Sequence, residues 1–175
     1  LLWFARLNSV LLIAGLWWFF LTSEQQVLGV VLAAGYGLIE YLWYGMSTVD
    51  SEGTVRFAPL SPNRRKCYTS WAQFFANVVC LPVMIEGLWT KLPHWSLRLL
   101  VFPLIIWLFE VVAGYYLWLV WDARPWTYRG KDAFFHGNIK LAHWKVWALL
   151  AISLEFSYHT LLLPGSRKLC FWIGL

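Results

Sequence analysis

Charge is scarce in this 175-residue chain: Asp, Glu, Lys and Arg together make up 13%, and only nine residues are acidic. Soluble domains carry about 25% charged residues, so an ordinary soluble domain is excluded. Cysteine is scarce too. The three, Cys67, Cys80 and Cys170, have no C-x-x-C spacing, and an odd number cannot pair completely within the chain. They are expected to be reduced and to pack as small hydrophobes. There is no G-x-x-x-x-G-K-[ST] stretch, which excludes a P-loop ATPase, and no G-x-S-x-G or H-E-x-x-H, so hydrolase and metalloprotease chemistry have no signature.

What fills the chain is apolar. Hydrophobic residues reach 60% and aromatics 19%, with 14 tryptophans and a mean hydropathy of +0.58. A spanning helix needs roughly 20 apolar residues, and five runs qualify: about residues 2–21, 26–46, 67–89, 97–121 and 141–163. The expected fold is an all-α polytopic transmembrane helical bundle in a single transmembrane domain, 1–175, with an interfacial loop at 122–140. The first run is too long for a signal-peptide core, and no small-residue cleavage site precedes Glu24, so it is read as a spanning helix. The chain opens on Leu1, and residues are expected before it.

The cations are asymmetric. Arg6, Arg56, Arg64, Arg65, Lys66, Arg124, Arg129, Lys131, Lys140 and Lys145 fall on one side, and Lys91, Arg98, Arg167 and Lys168 on the other. The positive-inside rule then places the N-terminus on the cytoplasmic, matrix or stromal side. The net charge of +5 reads as this orientation signal plus attraction to anionic head groups, and no nucleic-acid partner is expected.

Against that background four glutamates stand inside apolar runs: Glu40, Glu86, Glu110 and Glu155. Acids at such depth face the bundle interior and mark a polar site or a helix clasp. Glu40 and Glu86, and Glu110 and Glu155, are similarly spaced, suggesting a parallel repeat of two helix pairs behind a leading helix. On helix two, Gly29, Ala33, Gly37, Glu40 and Tyr44 share a face on which a neighbour can pack closely. On helix three, Ser70, Gln73, Asn77 and Cys80 form a polar stripe that should turn from lipid. On helix four, Pro103, Trp107, Glu110, Gly114 and Trp118 share a face. Lys145 is expected to reach Glu40 or Glu110, and Arg98 to pair with Glu86.

The segment after helix four interleaves aromatics with cations. Trp126, Tyr128, Phe134 and Phe135 are expected to dip towards acyl chains while Arg124, Arg129 and Lys131 meet lipid phosphates. His136 and His143, seven apart, would share a face if the last helix began early. They are only weak metal candidates, since no third ligand has a diagnostic spacing.

Here the chain resembles the ABC-transporter type IV membrane family, also called CmpB-like, which has bacterial members and vertebrate transmembrane relatives. That family places a helix glutamate before W-D-Y-S, then Gly-x-Ile-x-Leu and a tryptophan. In this chain Glu110 precedes Trp126-Thr127-Tyr128-Arg129, then Gly137-Asn138-Ile139-Lys140-Leu141, then Trp144 and Trp147. The earlier half is similar through Gly37, Glu40, Arg56 and the Pro59-x-x-Pro62 turn. Thr127 stands where the family has aspartate, and Arg129 where it has serine, so Asp122 or Asp132 would have to substitute for any role of that acid. The resemblance, scattered over Gly35 to Trp147, implies a membrane bundle of five or six helices and little about activity.

Two functions are open to this sequence. The leading one is a non-catalytic membrane subunit or scaffold that packs against other membrane proteins in a larger complex and against ordered lipids, because 14 tryptophans exceed what two interfacial belts plainly require. The alternative is a small transporter or lipid-modifying protein using the intramembrane glutamates; its catalytic version gathers Glu40, Glu110 and Lys145 around a cavity on the cationic side, with Arg124 and Arg129 on a lipid phosphate. No cofactor is expected, while bound lipids are. A cavity reaching the acids favours the alternative; four packed and paired acids oppose it.

Overall fold

The computed structural model describes residues 2–50, 55–63 and 71–174, with the side chains of residues 71 and 72 left aside. Arg64, Arg65, Lys66, Cys67 and Ser70 therefore lie outside the described residues. Five helices are long and apolar enough to cross a membrane. These are α1 (Leu2–Phe19), α2 (Ser23–Gly45), α3 (Trp71–Lys91), α4 (Trp95–Trp121) and a last one built of α5 (Trp144–Ser157), a π turn (Tyr158–Leu162) and α6 (Leu163–Ile173). The last helix thus runs ten residues past the expected end. Pro164 does not stop it because it sits at the start of α6, following the wider π turn.

Between α2 and α3 lies a small antiparallel ribbon, β1 (Ser47–Val49) with β2 (Val55–Phe57). Between α4 and α5 lies a second, β3 (Ala133–Phe134) with β4 (Ile139–Lys140). The order helix, ribbon, helix thus occurs twice, both ribbons on the end that carries most cations.

Capping fixes the start of α2. The Thr22 hydroxyl accepts from Gln25 N while the Gln25 side chain accepts from Thr22 N, a capping box. Residues next to it tie the opposite end of the molecule together: Arg167 bridges Glu24 at 3.0 Å, and the Cys170 thiol donates to the Ser23 carbonyl at 3.3 Å. At the cationic end, Arg6 Nε donates to the Val120 carbonyl at 2.9 Å, tethering α1 to α4.

The core has two clusters. Leu88, Phe102, Ile106, Trp147 and Ala151 join α3, α4 and α5, and Leu28, Ile85 and Tyr158 join α2, α3 and the π turn. The small-residue face of α2 is used as expected. A Cβ added at Gly29 would come within 2.1 Å of the Val78 carbonyl oxygen, so α3 approaches there closer than any side chain allows. Gln73 and Asn77 of the polar stripe are buried, with Gln73 Nε2 and both Asn77 amide atoms lacking a hydrogen-bond partner. Cys80 and Cys170 are free thiols.

The tryptophans follow the membrane faces. Except for Trp107, each lies within three residues of a helix end or, like Trp126, in the connection after α4. Positions near helix ends suit the aromatic belts of a spanning bundle, although the Trp126 and Trp147 side chains are buried inside it.

Candidate functional site

At the cationic end the connection from Asp122 to His143 folds back onto the bundle. Its start is set by Asp122, whose left-handed conformation (φ 53°) ends α4. Three successive residues, Phe135, His136 and Gly137, then take positive φ, a turn that non-glycine residues adopt only when their surroundings enforce it. Those surroundings are visible. Tyr115 Oη and His136 Nδ1 are hydrogen-bonded at 2.7 Å. Arg124 donates to the His136 carbonyl, and its guanidinium lies 4.5 Å from the centre of the Trp118 ring. Tyr128 N donates to the Gly137 carbonyl at 2.9 Å.

The turn delivers Asn138 into the bundle. Asn138 is buried and lies against Gly114 of α4, where an added Cβ would meet its Oδ1 at 2.5 Å. One turn earlier on α4, Glu110 is 1% exposed and accepts a hydrogen bond from Tyr128 Oη at 3.1 Å; its other oxygen, Oε2, has no partner. Burial holds the Tyr128 phenol well above its ordinary range. It therefore stays a donor at neutral pH.

Beside this plug is a cavity of about 400 Å³. The C-terminal part of α2 lines it with Tyr36, Ile39, Glu40, Trp43 and Tyr44; the returning connection supplies Trp126, Tyr128, Arg129, Lys140 and His143; and α5 adds Val146 and Trp147. Val49, Asp50 and Val55 of the first ribbon complete it. Asp50 is bridged by Arg56 at 3.1 Å. Lys140 donates to the Arg129 carbonyl at 3.0 Å and stands 3.8 Å from Asp132. The Arg129 guanidinium is exposed and has no partner among the described residues. Ile39 and Val146 both line the cavity and are both exposed, so among the described residues the cavity reaches the surface between α2 and α5. That gap arises because α2 packs on the last helix through α6, at the other end.

Several expectations are corrected. Arg98 does not pair with Glu86: it holds Glu155 across the α4–α5 seam, Nε to Oε2 at 2.8 Å, and Glu86 instead accepts from Gln25. Lys145 reaches neither Glu40 nor Glu110. It is exposed, because Trp147 is the residue that points inward, and two positions along a helix is about 200° away. Trp126 does not dip into acyl chains; it is 3% exposed and turned into the bundle, while Phe134 and Phe135 stay exposed. Tyr128 likewise serves Glu110. Arg124, Arg129 and Lys131 remain at the surface. His136 and His143 share no helix face: His136 is in the strained turn, and the His143 ring packs edge-on against Tyr128 at 4.6 Å. Among the described residues no three His, Cys, Asp or Glu side chains gather as a metal site. Asp132 braces the connection, accepting from Ala142 N at 3.1 Å.

The four glutamates thus divide. Glu86 and Glu155, at the end away from most cations, are each satisfied by a partner on another helix. Glu110 lies under the plug, and Glu40 lines the cavity. Asn138, buried against Gly114 with its Nδ2 unpartnered among the described residues, was missed as a site residue in the sequence; its one signal was its place beside Gly137 in a segment rich in turn residues. A second, shallower recess of about 490 Å³ at the other end is bordered by Glu24, Glu86, Arg98, Tyr158, His159 and Arg167, but its charges are largely matched within the chain. Glu110 and Tyr128 are hydrogen-bonded, and Gly137 to Ile139 lie in the connection that also carries Trp126 and Tyr128. A scan against protein-family models finds none that matches this chain, and searches of curated proteins and of solved structures likewise find no match.

Proposed function

We propose that this membrane-embedded helical protein is a small lipid transporter that admits the polar head of an amphiphile into the bundle at its cationic end. The observation that carries the reading is the cavity: it has the size of a ligand site, it mixes aromatic, acidic and basic groups, and it reaches the surface between α2 and α5 beside Ile39 and Val146, where acyl chains could remain in the bilayer. Buried polar groups continue inward from it, through Tyr128 and Glu110. Intramembrane polar groups of this kind mark substrate pathways. Most tryptophans lie near helix ends, as aromatic belts do, so their number does not by itself favour the subunit reading over this one.

The test is reconstitution of the purified chain in vesicles containing a head-group-labelled lipid, with the outer-leaflet label quenched from outside. Transport would expose the inner-leaflet label over minutes, and Val146→Trp, which fills that opening, would slow that exchange at least about tenfold. Exchange at the protein-free rate would sink the proposal. Mass spectrometry of the same vesicles would reveal an altered lipid if the protein modifies rather than moves it.

A further inference from the structure

We infer that Glu110 is a proton site loaded together with the lipid head, so that one proton accompanies each head group through the bundle. This rests on the lipid-transport reading and adds a coupled ion to it. Glu110 is buried, its Oε1 accepts from Tyr128 Oη at 3.1 Å, and its Oε2 has no partner. Asn138, one turn along α4 against Gly114, supplies no second donor, since its own Nδ2 is unpartnered among the described residues. Cations are engaged or distant. Arg6 of α1 is held by the Val120 carbonyl, ten residues further along α4 and so about 15 Å away. Lys140 of the connection is taken by the Arg129 carbonyl and Asp132, Lys91 lies in the last turn of α3, and Lys145 of α5 is exposed. The titratable groups that do face Glu110 are Tyr128 and, from α2, Tyr36. Behind them stand His143, edge-on against the Tyr128 ring, and Glu40, one turn beyond Tyr36.

An ionised carboxylate buried with one hydrogen bond from a neutral phenol is far costlier than the neutral acid. Glu155, by contrast, is matched by a guanidinium. What can relieve the charge on Glu110 is water. Tyr128 both lines the cavity and bonds Glu110, so a water-filled cavity stands one hydrogen bond from the carboxylate. A head group that fills the cavity expels that water, and the loaded site then holds a neutral acid. The proton enters before the water leaves: Tyr128 Oη gives its proton to Glu110 Oε1 as it takes one from hydronium in the cavity, which leaves a neutral phenol, a carboxylic acid and water. Release reverses both transfers. Intramembrane acids serve as proton relays of this kind.

The experiment has two readouts on the full chain. Infrared difference spectra in ester-free detergent, before and after adding an ether-linked phospholipid, should gain the carbonyl band of a protonated carboxyl, and Glu110→Gln should not gain it. Tyr128→Phe should place that band at higher frequency, because the carboxyl loses its phenol donor; this variant reports on the same group should Glu110→Gln fail to fold. In vesicles with a gradient of about one pH unit, and the membrane potential held at zero by potassium and valinomycin, head-group-labelled lipid should accumulate severalfold in the leaflet facing the alkaline side. One proton per lipid allows up to about tenfold. Glu110→Gln should abolish the accumulation. No band in the parent, or a band that persists in Glu110→Gln, would overturn the proton site, and an even spread of label under the gradient would overturn the coupling; both leave lipid transport standing. Accumulation on the acid side would overturn the joint loading of proton and head. Exchange at the protein-free rate would overturn transport and the coupling with it.

Discussion

The Arg98 guanidinium and the Glu155 carboxylate meet in parallel across the seam between α4 and α5, and the same guanidinium also donates to the carbonyls of Leu92 and Pro93 at 2.6 and 2.8 Å. One side chain therefore joins two helices and the turn between α3 and α4. Removing one member of such a pair leaves the other charge uncompensated. Glu155→Gln should cost roughly 3 kcal/mol, read as a lowered melting temperature in detergent. The joint replacement Arg98→Met with Glu155→Leu should recover most of that loss. A Glu155→Gln protein as stable as the parent would show that the pair contributes nothing.

Glu110 behaves differently because, among the described residues, its single hydrogen bond comes from a neutral phenol and no cation pairs with it. A neutral amide of the same shape can still accept from Tyr128. Glu110→Gln should therefore stay within about 1 kcal/mol of the parent, whereas Tyr128→Phe, which strips Glu110 of its donor, should cost about 1–3 kcal/mol. Thermal unfolding of both variants, scored apart from lipid exchange, checks the order; the reverse order would mean the carboxylate carries a charge that the fold requires.

Alkaline pH offers an independent test of the same contact. The Tyr128 phenol ionises above its ordinary value in the folded state, so its contribution to stability is complete below the unfolded tyrosine pKa of about 10. It is lost as pH rises from there through the raised folded value. The parent should lose more stability than Tyr128→Phe between neutral pH and strongly alkaline pH. Equal losses would remove Tyr128 from the account.

The plug should depend on the absence of a side chain at residue 114. Gly114→Ala puts a Cβ at 2.5 Å from Asn138 Oδ1, and overpacking of this sort costs about 1–3 kcal/mol. Hydrogen exchange over residues 126–143 should accelerate while the helices stay protected. Adding Asn138→Ala should restore part of the protection, since it removes the clashing atom. Unchanged exchange in Gly114→Ala would mean the plug can shift without cost.

Helix number and approximate ends were legible because hydropathy and length dictate what can cross a bilayer. So was the close face of α2, which small residues mark directly at Gly29 and Ala33. Partners were not legible. Whether Arg98 meets Glu86 or Glu155 depends on the rotation of α5 about its axis, and both acids sit at a depth that a guanidinium at residue 98 can serve. Trp126 shows the other limit: in a membrane both the core and the lipid are apolar, so hydrophobicity alone does not tell an inward indole from an outward one. The cavity escaped for a third reason. It is a space between α2 and α5, created by where α2 and α6 touch, and spaces leave no motif.

The π turn from Tyr158 to Leu162 inserts one residue into an otherwise helical course. One residue is about 100° of rotation; a regular α-helix would carry Ser166 and Cys170 that far round from Trp147 and Ala151, and the inserted residue returns all four buried positions to one longitudinal stripe. The first half of that stripe meets α4 and the second half meets α2. Deleting one residue from the π turn would therefore swing the α6 seam away from α2 while leaving the α5 seam on α4 in place.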